Sequence, residues 1–245
     1  MSISSMKGAL ARAAGHAASV TQVEALSPRV IRVWVEGAAL RRARFAPGDK
    51  VKIHVGDGAL RSYTPASVDA AAGVMSLVLH AHGDSPGSAW ARGLAAGDAI
   101  HFLGPASSMT GPGPEVRWAA FYGDETAIGL AEAIAAALPS GVRLRGAIEV
   151  APEDAASVAH LGADTELEPV QRAETHGPAL RAHLERLEVP AGGRVFLSGE
   201  AGSVLALRAA LLERGVPRAS LHIKPYWSLR GKAHRKELER TVLRT

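Results

Sequence analysis

The sequence contains no cysteine among its 245 residues. Without thiolates the chain cannot form disulfides, zinc fingers, cysteine-held iron–sulfur clusters or a cysteine nucleophile. Aromatic residues are also scarce, with four Trp, four Phe and three Tyr. Any redox activity must therefore depend on a bound cofactor rather than on protein sulfur.

Neither charge nor apolar character is concentrated enough to indicate nucleic-acid or membrane binding. The net charge is only +4, whereas nucleic-acid-binding domains carry marked basic patches. Two apolar stretches, 127–138 and 204–212, are each interrupted by a charged residue and are too short to span a membrane. The alanine-rich segment 1–20 is broken by Arg12 and Gly15 before it resembles a signal peptide. We therefore expect a cytoplasmic protein without a membrane span.

The first half of the sequence reads as short strands. In six segments, β-branched residues partly alternate with polar ones, and Pro, Gly and Asp turns separate the segments. These segments are residues 20–25, 30–36, 50–55, 60–64, 74–82 and 98–103. Six short strands predict a small β-barrel. A short helical segment precedes the last strand, and we expect Ser88 to cap its N-terminus, because a hydroxyl there can accept a backbone N–H.

The second half follows a different pattern. Residues 105–114 hold three prolines and two glycines, so we place a linker there and predict domains at 1–110 and 111–245. Beyond the linker, strands alternate with helices, which predicts a doubly wound α/β domain with a mostly parallel sheet. Ligands of such sheets bind at the carboxyl ends of strands, which here are expected at residues 123–126 and 198–202.

Several motif-like patterns do not support the function that they suggest. The Gly-Asp-Ser-Pro-Gly segment around Ser85 resembles a hydrolase nucleophile elbow, but Pro86 lacks the N–H that an oxyanion hole requires. His80 and His82 share one face of a strand, yet no third ligand nearby completes a metal site. No G-x-G-x-x-G fingerprint is present. In the basic segment 230–240, acidic and basic residues alternate, which is typical of a solvated helix face.

The segment Arg61-Ser-Tyr-Thr-Pro65 is the most informative one. Alternation along a strand places Arg61 and Tyr63 on the same face. An arginine there can bind phosphate, and the flat phenol ring beside it can stack on a planar ligand. Pro65 ends the strand and leaves Thr64 at its tip. The pattern indicates a nucleotide-like ligand only in combination with the barrel and the α/β domain.

With these elements in place, the sequence resembles the siderophore-interacting proteins of the ferredoxin–NADP reductase superfamily. The likeness covers nearly the whole chain. The motifs that carry it are residues 21–33, 47–53, R-x-Y-T at 61–64, 82–91, Gly97-Asp98, Gly104-Pro105, Gly-Asp-Glu-Thr-Ala at 123–127, Gly199-Glu200 and Tyr226-Trp227. R-x-Y-T is shared across the superfamily, whereas the last three motifs, in this order, are more specific.

The resemblance implies a Greek-key flavin-binding barrel, an NAD(P)H-binding α/β domain and a monomeric protein. Arg61 would bind the FAD pyrophosphate, Tyr63 would stack on the isoalloxazine, and Thr64 would approach the flavin ring. A second FAD loop would comprise His82, Gly87, Ser88, Ala89 and Trp90. The nicotinamide nucleotide cleft would be lined by Asp124, Glu125, Thr126, Gly199 and Glu200. Trp227 would close the site near the flavin.

The sequence departs from the family pattern near its basic residues. Pro225 stands where the family commonly has glycine before Tyr-Trp, and the following arginine is displaced by two positions to Arg230. Ala66 stands where a basic residue is often found. Lys52, Lys224 and Arg230 are the hypothetical contacts for an acidic ferric chelate.

The resemblance implies an FAD-dependent NAD(P)H:ferric-siderophore reductase, which passes hydride to the flavin and single electrons to iron(III). Reduction weakens a hard-oxygen chelate and releases iron(II). Two alternatives remain open, namely a flavin reductase with another electron acceptor and a siderophore- or nucleotide-binding module without turnover. NADPH and NADH are both possible donors, since no arginine marks a 2′-phosphate pocket in the sequence.

Overall fold

The computed structural model describes residues 15–56 and 59–244. Most of the N-terminal segment used above to predict the cellular location, residues 1–14, lies outside this range. The chain divides into two compact units between Ser108 and Met109. No helix in the described ranges is both long enough and apolar enough to cross a bilayer.

The first unit is built on one antiparallel sheet of seven strands with the order β4-β3-β7-β1-β2-β6-β5. The strands are β1 (His16–Ala25), β2 (Val30–Glu36), β3 (Lys50–His54), β4 (Leu60–Tyr63), β5 (Pro65–Asp69), β6 (Val74–His80) and β7 (Ala99–Ala106). A short helix, α1 (Pro86–Arg92), lies between β6 and β7. Buried side chains such as Val33, Val51, Ile53, Leu77 and Phe102 form the core.

The predicted fold class is confirmed, but the sheet has seven strands rather than six. The additional strand, β5, begins at Pro65, after a gap of one residue from the end of β4 at Tyr63. These two strands are the opposite edges of the sheet, and only Thr64 separates them in sequence. Because one residue spans at most about 7 Å between its neighbouring Cα atoms, the sheet curves until its edges approach each other at Thr64.

The second unit contains a parallel sheet with the order β10-β9-β8-β11-β12. Its strands are β8 (Trp118–Asp124), β9 (Leu144–Val150), β10 (Thr165–Gln171), β11 (Gly193–Glu200) and β12 (Leu221–Trp227). The α-helices are α2 (Ile128–Ala136), α3 (Pro178–Glu185), α4 (Ala201–Glu213) and α5 (Gly231–Arg244). Short 3-10 segments cover Glu125–Ala127, Pro152–His160 and Arg218–Ser220.

Strand alternation sorts the apolar residues of β8 between the two faces of this sheet. Ala120 and Tyr122 pack in one cluster with Leu180 of α3 and Leu207 of α4. Buried Phe121 points to the opposite face, because successive side chains of a strand alternate. Both faces of the sheet are therefore covered, which leaves its carboxyl edge as the place where polar side chains gather.

Candidate functional site

The first unit brings Arg61, Tyr63 and Gly87 into contact. A Cβ atom added at Gly87 would lie 3.3 Å from Arg61 Cγ and 3.4 Å from Tyr63 Oη. The start of α1 therefore packs directly against the face of β4 that carries the arginine and the phenol. This closeness favours a small residue at position 87, because a side chain there would have to displace those of Arg61 and Tyr63 slightly.

Around this cluster the structure provides a cation and two flat rings. The Arg61 side chain is exposed, and its guanidinium donates to the Leu60 carbonyl at 3.2 Å. Tyr63 is half-buried beside Trp90, with the ring centroids 6.0 Å apart and the rings tilted by 31°. Burial raises the pKa of Tyr63 to about 12, although the Arg61 charge opposes the shift. The phenol is therefore neutral over the physiological pH range.

The N-cap prediction for α1 was wrong. The helix begins at Pro86, and Ser85 is its N-cap residue. Its side-chain oxygen accepts the Ser88 N–H at 3.2 Å, and its carbonyl accepts the Ala89 N–H at 2.9 Å. Proline at the first helical position defines this start, because its fixed φ suits a first turn that needs no N–H there. The Ser88 and Ala89 N–H groups are thus used within the turn.

The remaining predicted residues of the first unit occupy varied positions. Thr64 is buried between β4 and β5, whereas His82 is exposed and stacks on His80 with ring centroids 4.7 Å apart. The buried Ser88 hydroxyl donates to the His82 carbonyl and thereby ties the loop to α1. Lys52 is exposed on β3. An exposed arginine, a stackable phenol and a bare glycine backbone in mutual contact fit a flavin dinucleotide, which has an anionic pyrophosphate and a planar ring.

In the second unit, the strand order reverses at the carboxyl ends of β8 and β11. The chain runs outward from β8 through β9 to β10, then returns to place β11 on the other side of β8. Open α/β sheets bind ligands in the crevice at such a reversal. Asp124 ends β8 and Glu200 ends β11, so the structure brings both predicted segments to this crevice.

The Asp124 carboxylate accepts four hydrogen bonds from groups within the protein. One oxygen, Oδ1, accepts the Thr126 N–H at 3.0 Å and the Thr126 hydroxyl at 2.5 Å. The other, Oδ2, accepts the Glu200 N–H and the Trp227 indole N–H, each at 2.8 Å. Burial raises the pKa of Asp124, while the hydrogen bonds from Thr126 and Trp227 act against that shift. Asp124 therefore links β8, β11 and β12.

The Glu125 carboxylate also binds groups within the protein. Its carboxylate is buried and receives both terminal nitrogens of the Arg172 guanidinium, at 2.7 and 2.9 Å. It also accepts the Ala151 N–H at 2.8 Å. Burial lowers the pKa of Arg172, but Glu125, Glu149 and Asp124 outweigh that effect and raise it. This cation is therefore held charged among carboxylates.

Glu149 and His176 complete the edge, and sequence reasoning missed both of them, as it missed Arg172. Glu149 is the penultimate residue of β9 and has no exposed surface, and it accepts the Gly177 N–H at 2.9 Å. Its other oxygen lies 3.3 Å from His176 Nδ1. An acidic residue between the apolar Ile148 and Val150 was the available signal, since buried carboxylates need partners.

Glu200 caps α4 and also fixes the loop after β12. Its Oε2 accepts the Ser203 N–H at 2.9 Å, and its Oε1 accepts the Leu229 N–H at 3.2 Å. The preceding Gly199 has φ +108°, and a Cβ there would lie 2.6 Å from Asp124 Oδ2. Only glycine can occupy this position without strain or a clash with the buried carboxylate.

Of the remaining predicted residues, Trp227 lies closest to this network. It ends β12, its indole N–H binds Asp124, and its ring meets His176 at a centroid distance of 4.9 Å. Lys224 forms an ion pair with Glu239 of α5 at 3.0 Å, and Arg235 shares that carboxylate. Arg230 is exposed in the loop that follows β12.

An antiparallel β unit followed by this parallel α/β unit defines a ferredoxin reductase-like fold. The chain belongs to the siderophore-interacting protein family. Residues 55–109 match the siderophore-interacting FAD-binding domain, and residues 116–230 match the siderophore-interacting protein model. The first unit is accordingly an FAD-binding domain, and the Arg61–Tyr63–Gly87 cluster lies within the matched residues.

Several known proteins are similar to this chain. An uncharacterized protein of Mycobacterium tuberculosis is 32% identical over 183 residues, which cover 69% of this chain and 64% of that relative. A siderophore utilization protein from T. fusca is 26% identical, with a TM-score of 0.75 over 88% of this chain and 93% of its own. The ferredoxin reductase in carbazole 1,9a-dioxygenase shares the fold, with 22% identity and a TM-score of 0.72 over 87% of this chain and 69% of its own.

Proposed function

We propose that this protein is an FAD-dependent reductase that takes electrons from NADH or NADPH and delivers them to iron(III) held in a siderophore. The observation that carries the proposal is the contact among Arg61, Tyr63 and Gly87 within the FAD-binding domain. Further support comes from the family, whose matched residues span parts of both units.

The first unit would hold the flavin with residues that are already close together. The exposed Arg61 guanidinium would bind the pyrophosphate, and the Tyr63 ring would lie against the isoalloxazine. Thr64, His82, Gly87, Ser88, Ala89 and Trp90 would line the rest of the site. Bound FAD supplies the redox chemistry, because a flavin can accept a hydride and release electrons singly.

The crevice of the second unit would receive the nicotinamide nucleotide. Asp124, Glu125 and Glu200 would shape this crevice indirectly, since their carboxylates are already bound to N–H groups and to Arg172. Thr126 and Gly199 would contribute backbone surface, and Trp227 would form a wall of the site. This arrangement suits an anionic nucleotide, because the N–H and guanidinium donors bound to these carboxylates offset their negative charge.

The ferric siderophore is the proposed substrate. Lys52 and Arg230 are exposed cations that could attract an acidic chelate, whereas Lys224 would first have to leave Glu239. One hydride carries two electrons, so one nicotinamide would reduce two iron(III) chelates to iron(II). The softer iron(II) is held less tightly by hard oxygen ligands. We place this reaction in the cytoplasm, in a monomer whose two domains are residues 1–110 and 111–245.

The proposal is tested by the visible absorption spectrum of the purified protein. We expect flavin bands that bleach when NADH or NADPH is added anaerobically and return when a ferric siderophore follows, with iron(II) trapped by a chelator. Arg61→Ala should lose most of its flavin, whereas Arg44→Ala, an exposed arginine of the same unit, should retain it.

Two outcomes would contradict the proposal in different ways. Reduced flavin that reoxidises with free flavin or a quinone, but not with ferric siderophores, would show another electron acceptor. A protein that neither contains nor takes up FAD would be a binding module without turnover. Normal flavin content in Arg61→Ala would remove Arg61 from the pyrophosphate site.

A further inference from the structure

The rings of His176 and Trp227 are in contact although the two residues belong to segments at opposite edges of the α/β sheet. Trp227 ends β12, and His176 lies in the loop that follows β10. These two strands are the edges of the five-stranded sheet, so about 19 Å separates them at the usual strand spacing. Trp227 reaches Asp124 at the end of β8, and His176 lies beside Glu149 near the end of β9. Their contact therefore bridges the carboxyl ends of the central strands.

A hydrogen bond anchors Trp227 from below. Its indole N–H donates to Asp124 Oδ2 at 2.8 Å, and the carboxylate is buried beneath it. This bond anchors the nitrogen edge of the indole, and side chains that pack against the ring restrain its plane. The imidazole of His176 meets the indole nearly at a right angle, 83° between the ring planes. This ring contact adds a restraint on the plane of the indole.

His176 is in turn held by buried groups. Its Nδ1 lies 3.3 Å from Glu149 Oε2 and 3.4 Å from an Arg172 terminal nitrogen. Glu149 also binds the N–H of the next residue, Gly177. The histidine ring and its backbone are therefore tied to the end of β9, which gives Trp227 a rigid neighbour rather than a mobile loop.

We propose that His176 is a positioning residue for Trp227, with Glu149 fixing the imidazole and the imidazole fixing the plane of the indole. This inference rests on the proposed function in one respect, since it gives Trp227 a role in the nucleotide crevice. It gives the buried Glu149 a further role beside its hydrogen bond from the Gly177 N–H and its interaction with the Arg172 charge.

The indole N–H signals of nitrogen-15-labelled protein provide a direct test. The chain has four tryptophans, and Trp227→Phe identifies the signal of Trp227. We expect His176→Ala to shift this signal and to speed its hydrogen exchange at least about tenfold. His176→Phe keeps a ring and should restore the exchange rate to within about threefold of the wild type. The signals of Trp34, Trp90 and Trp118 should stay in place and report an intact fold.

Two controls and one alternative variant make the result decisive. Asp124→Asn should shift the Trp227 signal strongly, which shows that the signal responds to its surroundings. His160→Ala, at an exposed position of the same unit, should leave it unchanged. If His176→Ala disturbs all four signals, Glu149→Gln becomes the test variant, and we expect it to shift the Trp227 signal in the same direction by a smaller amount.

A Trp227 signal that is unchanged in His176→Ala would overturn the inference, and so would failure of His176→Phe to restore protection. Nucleotide kinetics separate this from the proposed function. If the signal moves as expected while the KM values for NADH and NADPH stay at wild-type levels, His176 does position Trp227. In that case the placement of Trp227 in the nucleotide crevice is what fails.

Discussion

The two units use their motif residues in opposite ways. In the β unit, Arg61 is exposed and donates to the carbonyl of its own neighbour. In the α/β unit, Asp124 and Glu125 are 2% exposed and are surrounded by N–H, hydroxyl and guanidinium donors. The first arrangement leaves a charge available to a ligand, and the second uses charge to hold strand ends together.

This difference shows that the residues of a motif can serve either to contact a ligand or to stabilise the fold. Leaving a buried carboxylate without donors is costly, so the α/β edge needs its internal bonds whether or not a nucleotide binds. An exposed arginine has no comparable requirement, because water can solvate it. Substitutions should therefore damage stability in the second unit and ligand binding in the first.

The sharpest test of this contrast removes one partner of the buried ion pair. Arg172→Ala leaves Glu125, whose side chain is 1% exposed, without its guanidinium, and we expect a loss of about 3–5 kcal/mol in unfolding free energy. Urea unfolding followed by far-ultraviolet circular dichroism measures it. The matched control is Arg145→Ala, which breaks an exposed ion pair with Glu166 and should cost less than about 1 kcal/mol. Equal losses in both variants would contradict the comparison.

A pair of glycines extends the comparison to the backbone. Gly199→Ala forces a side chain onto a backbone with φ +108°, 2.6 Å from Asp124 Oδ2, and should destabilise the protein by about 3 kcal/mol. Gly87→Ala meets mainly the flexible Arg61 side chain at 3.3 Å and should cost less than about 1 kcal/mol. It should instead weaken FAD binding about tenfold, equivalent to about 1.4 kcal/mol, as measured by flavin titration. A Gly87→Ala protein that loses stability but keeps its FAD affinity would show that Gly87 supports the fold rather than the FAD site.

The smallest effect concerns the phenol of the first unit. The folded pKa of Tyr63 is about 12, above its ordinary value of 10.0, so the neutral form is favoured by folding. Its contribution to stability is complete below about pH 10 and is lost as the pH rises through about 12. The ultraviolet difference titration between wild type and Tyr63→Phe should therefore show no ionisation near pH 10. A transition at that pH would mean that the ring is more accessible to water than the structure indicates.

Much of the fold could be predicted because strand and helix periods are local. Alternation indicated the strands of the first unit, and strands alternating with helices indicated the parallel sheet. The prediction treated residues 60–64 as one strand and missed β5, since nothing local shows that the chain changes sheet edges at Thr64. Ser88 was assigned as the N-cap because its residue type suits capping, but Pro86 already begins the helix.

The sequence by itself determined the residue types of the candidate site. It placed Arg61 beside Tyr63 on one face, and it placed Asp124 and Glu200 at strand ends that meet in a parallel sheet. Only the tertiary structure decided which charges are available to a ligand. Arg172 contacts Glu125 and His176 contacts Trp227 only because the sheet order places β9 between β10 and β8, and β11 between β8 and β12. Burial and hydrogen-bond partners depend on that long-range packing, which no local pattern encodes.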